Sequence, residues 1–145
     1  MEKRTPLRRH PDLIPYSRTH HKVLIAAQLL KVDVPNFRGL PGTPFGKRAY
    51  LLEFLDDLLE PHMQLEEQDL FPNAKKYEEL KELVASLEDD HHFFRKEIPL
   101  LFMLDDAPLV HKMDEIGRRL ERHVRMEERQ FFQQYQSLCL QPKVS

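Results

Sequence analysis

The chain has 145 residues, 41% of them hydrophobic and 32% charged, the proportions of one globular domain rather than of a disordered segment. A formal net charge of −2 argues against the electrostatic footprint of a nucleic-acid binder, and no apolar run reaches the roughly 20 residues that cross a bilayer. The single cysteine, Cys139, leaves no internal disulfide, and the charged start MEKRTPLRRHPD lacks the apolar stretch of a secretory leader, so a cytoplasmic protein is expected.

Residues 1–15, rich in basic residues and proline, read as an irregular N-terminal arm. Ser17 is the expected N-cap of a first helix with an apolar stripe at Val23, Leu24, Ala27 and Leu30. One turn back along that stripe stands His20, with His21 about 100° further round. The stretch DVPNFRGLPGTPFG (33–46) cannot continue a helix, and its length suits a segment that covers one end of the fold or acts as a lid. A second helix carries Leu51, Leu55, Leu58 or Leu59, then His62, Leu65 or Glu66, and Leu70 on its stripe. Pro61 is expected to kink it and Pro72 to end it. The third pattern runs from Tyr77 to Leu104 through Leu80, Val84, Leu87, His91, Phe94, Ile98 and Leu101, with a bend near Arg95 caused by Pro99. After the turn signal DDAP (105–108), a fourth helix passes through Met113, Ile116, Leu120, His123, Glu127, Phe131 and Leu138. With no strand pattern, the expected fold is all-α, an antiparallel up-and-down four-helix bundle over 16–138, followed by a C-terminal tail at 139–145. In that topology His20, His62/Glu66 and His123/Glu127 fall near one end. His91 fits less well, lying about fourteen residues into its helix, roughly 20 Å. The tension eases if residues 72–80 belong partly to a connection.

Two segments carry the chemistry. His62–Phe71, HMQLEEQDLF, is echoed at His123–Phe132, HVRMEERQFF. Both read His-x-x-x-Glu-Glu, which places an imidazole and a carboxylate one turn apart on one helix face, and that face is the apolar one. A buried ionised carboxylate costs several kcal/mol unless it is paired or ligates a metal. Arg95, one turn after His91, is the nearest basic residue that offers an alternative partner. A single histidine on an apolar face is most often a satisfied core residue; four, one per helix, point instead to a metal site with ligands His20, His62, Glu66, His91, His123 and Glu127. Imidazole with carboxylate suits divalent iron, manganese or zinc rather than calcium. Two carboxylates among four imidazoles can bridge two metals and leave positions open to a small ligand. His21 and His92 read as flanking groups, either one an alternative ligand to its neighbour. His10 and His111 read as solvated, and Glu67 and Glu128 as solvated or hydrogen-bonded to ligating histidines. Cys139 reads as structural, and the doublets Phe93/Phe94 and Phe131/Phe132 as core before pocket wall.

The segments SRTHHKVL, PHMQLEEQDLFP, DDHHFFR and ERHVRMEERQFF resemble, in order and over residues 16–138, the motifs of the hemerythrin-like HHE cation-binding family. The resemblance implies a four-helix bundle around a non-haem di-iron centre that reacts with oxygen or related small ligands. It also implies the six ligands above, with Glu66 and Glu127 as bridges. One departure stands out. Oxygen-carrying hemerythrins have a His-x-x-x-His pair on the third helix, whereas here Leu87 and Arg95 flank His91, so one iron is expected to lack a histidine. The fourth-helix spacing of those proteins, a carboxylate five residues after the histidine, is replaced here by His123/Glu127, although Glu128 occupies that spacing. The leading expectation is a protein that binds or senses oxygen, nitric oxide, or iron and redox state. An enzyme acting on peroxide, oxygen or nitrogen oxides and a metal-stabilised scaffold are the alternatives. A ferritin-like site is disfavoured, since one Glu-x-x-His, Glu88 to His91, is present where two are required. No covalent nucleophile system and no glycine-rich phosphate loop is present.

Overall fold

The computed structural model describes residues 8–140 and contains no strand among them. Four long helices make the bundle. Residues 1–7 of the expected 1–15 arm and residues 141–145 of the tail lie outside the described residues.

Helix α1, Ile14–Leu30, starts three residues before the expected cap. A 3-10 turn at Pro11–Leu13 leads into it, with the His10 ring nitrogen accepting from the Asp12 N–H at 3.0 Å. Pro15 occupies the first turn, where a missing N–H removes no intrahelical bond. Ser17 is therefore inside the helix and free to use its hydroxyl elsewhere. Helix α2, residues 44–74, opens with Thr43 accepting from the Gly46 N–H at 3.1 Å and with Pro44 in its first turn. It contains two π-turns, Leu55–Leu59 and Glu66–Leu70, closed by bonds from Glu60 N–H to Leu55 O and from Phe71 N–H to Glu66 O. Pro61 and Pro72 each follow a π-turn directly. The helix therefore passes both prolines and ends at Ala74, not at Pro72.

Helix α3, Glu78–Leu100, begins with two glutamates in the first turn, where the helix dipole favours them. Pro99 falls in its last turn, and a 3-10 turn at Leu101–Met103 completes the segment. Helix α4, residues 106–139, starts at Asp106 with φ of 53° and includes a third π-turn, Glu127–Phe131. Gly117 lets α4 approach α1 closely. A Cβ there would lie 2.7 Å from the Ala27 carbonyl oxygen and 3.0 Å from Leu30 Cβ.

The apolar interior is divided in two. One cluster, near the 31–43 connection, includes Val23, Leu30, Leu51, Phe54, Phe94, Ile98, Leu109 and Leu120. The other includes Leu13, Leu70, Phe71, Leu80, Val84, Leu87, Phe131 and Tyr135. All six candidate ligands lie between them, a polar layer inside the bundle rather than at its end. This removes the tension over His91. The layer is thirteen residues past the start of α3 and also twelve before the end of α4, counted from His91 and Glu127. The 31–43 connection joins the opposite ends of α1 and α2, so it is not a lid over the centre.

Candidate metal centre

The six side chains are all buried, with Glu66, His91 and Glu127 at 0% exposure. Each imidazole turns its Nε2 towards a carboxylate at the centre. His62 and His91 approach Glu66 Oε1 at 3.5 and 3.2 Å, and His20 and His123 approach Glu127 Oε1 at 2.9 and 3.1 Å. Across the layer the rings pair differently, His20 with His62 at 5.0 Å between centroids and His91 with His123 at 5.2 Å. Ligand atoms of His20, His62, Glu66 and Glu127 lie within 4.8 Å of one another, as do those of Glu66, His91 and His123. Glu66 thus belongs to two overlapping groups.

The Glu-Glu doublets have a shared geometric role. Each π-turn begins at the first glutamate of its doublet, and the doublet grips both nitrogens of one imidazole on another helix. Glu66 faces His91 Nε2 while Glu67 Oε2 binds His91 Nδ1 at 2.7 Å. Glu127 faces His20 Nε2 while Glu128 Oε2 binds His20 Nδ1 at 2.6 Å. Glu67 and Glu128 accordingly orient ring nitrogens rather than sitting in solvent. The wide turn inserts one residue into the helix. Two of the three wide turns occur where two successive glutamates serve one partner; the third, Leu55–Leu59, carries no such doublet.

His123 is held from behind by Asp90, whose Oδ2 lies 2.8 Å from His123 Nδ1 and whose Oδ1 accepts from Arg119 at 2.9 Å. No carboxylate stands at His62 Nδ1 among the described residues. His62 instead lines a cleft of about 390 Å³ between α1 and α2, together with Tyr16, Leu58, Pro61, Leu65 and Asp69. An aromatic ring covers each imidazole: Phe132 on His20, Tyr16 on His62, Phe71 on His91 and Phe94 on His123. Two of the phenylalanines read as core are thus also walls of the centre.

Burial and the neighbouring Glu127 push the Glu66 carboxyl well above its ordinary range. Burial would raise Glu127 too, but the His123 and His20 imidazoles hold it well below. Burial alone would lower His123; Glu127 and Asp90 override it and raise it to about 9. For His62 burial prevails over Glu127, with repulsion from the other imidazoles adding to it, and lowers the ring to about 4. The Tyr16 phenol is pushed up to about 12 by burial and by Asp69, so it stays protonated.

Several sequence readings are refined here. Arg95 does not face the centre: its guanidinium forks onto Glu60 and Glu67, with distances of 2.7–2.9 Å. Glu88 binds Lys75 at 2.7 Å, away from the histidines. His21, His92 and His111 are exposed, and Leu87 is buried in the apolar cluster below. Sequence reasoning missed Asp90 and the contacts of Arg9 and Ser17 with Glu128. Asp90 is adjacent to His91 and so lies off its stripe. The available signal was Arg119 and His123 at i, i+4, spaced to face a common acid.

The donor set is of a kind known across a family. The hemerythrin HHE cation-binding domain matches residues 16–135, and the chain belongs to that family. Comparison with curated proteins returns no match, and neither does comparison with solved structures. The family and the buried His/Glu groups together give the chain a candidate metal-binding site. No helix among the described residues is long and apolar enough to cross a membrane.

Proposed function

We propose that the chain is a non-haem di-iron protein that binds or senses oxygen or nitric oxide, or responds to iron and redox state. One observation carries the reading. His62 Nε2, both oxygens of Glu66, His91 Nε2 and Glu127 Oε2 are buried and have no hydrogen-bond partner. Buried polar atoms are normally paired, and five atoms in one layer without a hydrogen bond, all imidazole nitrogens or carboxylate oxygens, fit the donor set of a metal site. His20 and His62 with Glu66 and Glu127 would hold one metal, and His91 and His123 with Glu66 a second. Four imidazoles and two carboxylates suit divalent iron, and zinc or manganese can occupy the same donors.

Bound iron supplies redox chemistry and open coordination positions. The protein supplies the rest. Glu128, Glu67 and Asp90 accept from the outer nitrogens of three imidazoles, which keeps the proton on Nδ1, turns each Nε2 towards the centre as the atom that would ligate, and would raise its basicity as a ligand. The apolar clusters above and below exclude bulk water from the layer. The cleft at His62 provides an approach for a small molecule. Leu87 and Arg95, one turn either side of His91, offer no imidazole, so each metal would have two imidazoles, one fewer on the His91 side than a His-x-x-x-His pair would give. The functional unit is the bundle at 16–138, and the compartment proposed for it is the cytoplasm.

Absorption spectra of anaerobically iron-loaded protein before and after exposure to oxygen, and separately to nitric oxide, test this reading. New visible bands with either gas, absent in His62→Ala, are expected. Iron-loaded protein with identical spectra under both gases and under nitrogen would refute gas binding.

A further inference from the structure

Residues 8–10 are tied to α4 through a polar and aromatic cluster that ends at His20. The Arg9 guanidinium is 19% exposed. Its Nη2 donates to the Glu128 carbonyl and to Glu128 Oε1, both at 3.0 Å, and its Nη1 donates to Gln136 Oε1 at 3.1 Å. Gln136, itself 6% exposed, binds the arm backbone on both sides: its Oε1 accepts from the His10 N–H and its amide donates to the Arg8 carbonyl, each at 2.9 Å. From Arg9 two routes lead to His20. Through Glu128, the second carboxylate oxygen lies 2.6 Å from His20 Nδ1. Through Phe132, the guanidinium sits 5.2 Å over a ring that stacks on His20 at 5.4 Å and 10°.

We propose that Arg9 is a positioning residue for His20, and that the 8–10 segment is a latch coupling the N-terminal arm to metal occupancy. The inference rests on the centre being a metal site. A carboxylate clamped by a guanidinium is confined to one orientation, and it confines in turn the imidazole it binds. Ser17 also donates to Glu128, at 2.8 and 3.1 Å, so loss of Arg9 loosens the carboxylate without releasing it. Coupling of this kind is reciprocal. A partner or modification that detaches the arm weakens metal retention, and metal binding holds the arm down.

The test compares metal release to a chelator, and hydrogen exchange at the His10 amide, in wild type, Arg9→Ala, Arg9→Lys and Gln136→Ala. Gly117→Ala serves as a control, since it perturbs the opposite end of the bundle. Arg9→Ala is expected to release metal about 10-fold faster, the lower edge of the effect for a group behind a ligand. Gln136→Ala should move the same way and Arg9→Lys should recover part of the loss, while Gly117→Ala should leave release unchanged. In wild type, metal loading should slow exchange at the His10 amide. Equal release rates in wild type and Arg9→Ala, or exchange at His10 indifferent to metal, would overturn the latch alone. A wild-type chain that takes up no metal overturns the reading of the centre and the latch with it.

Discussion

If Glu66 is present for a cation, it costs the metal-free protein stability, and removing it should help that form. Neither Glu66 oxygen makes a hydrogen bond, although His91 and His62 Nε2 stand 3.2 and 3.5 Å from Oε1, and the side chain is 0% exposed. A buried polar group left unsatisfied costs about 1–3 kcal/mol. Glu66→Met keeps an unbranched side chain of similar length and removes that cost, against a packing loss of less than about 1.5 kcal/mol. The net expectation is a metal-free variant more stable by about 1 kcal/mol. For a chain near this size that corresponds to a Tm about 2–4 °C higher, measured by thermal denaturation in chelator. With iron present the order should reverse, because only wild type gains ligand stabilisation, about 2.7 kcal/mol at a free metal concentration of 100 Kd. A Glu66→Met variant less stable than wild type in chelator would refute the reasoning, since Glu66 would then be an ordinary structural residue.

Other outcomes follow from the same geometry. Asp90→Asn removes the charge behind His123 and should weaken metal binding by about 10-fold, read by competition with a chelator of known affinity. The metal-free His123 imidazole titrates at about 9. Because a metal needs it deprotonated, apparent affinity should fall at least about tenfold per unit as pH drops below that value, more steeply where the raised Glu66 carboxyl also releases a proton, and a flat profile between pH 7 and 8.5 would contradict this. Gly117→Ala should destabilise the bundle. The new methyl meets the Ala27 carbonyl at 2.7 Å, and overpacking of about 1–3 kcal/mol exceeds the helix propensity of up to about 1 kcal/mol gained from alanine. Denaturant unfolding gives the sign directly.

The helices and the six candidate ligands were legible because both follow one periodicity: each histidine and each first glutamate occupies the apolar stripe of its own helix. What was not legible depends on contacts between helices or on backbone irregularity. Asp90 and Arg119 meet only because α3 and α4 pack side by side, and neither lies on a core stripe. Two prolines misled: Pro15 sits in the first turn of a helix rather than in an irregular arm, and Pro72 follows a wide turn from which the helix runs on to Ala74. The doublets Glu66-Glu67 and Glu127-Glu128 stood out as a repeat. That both members grip a single imidazole required the π-turns, which no periodicity announces. The arm offered proline and positive charge, whereas residues 8–10 are held by Gln136 and Glu128, more than a hundred residues away.

Six buried histidines and glutamates are proposed to hold two divalent metals. Elemental analysis of anaerobically iron-reconstituted, desalted protein tests this proposal most directly, with wild type set beside Glu66→Ala/Glu127→Ala. Two irons per chain in wild type and fewer than one in the double variant is the predicted result. Wild type retaining less than one iron per chain, or a double variant that retains two, would contradict it.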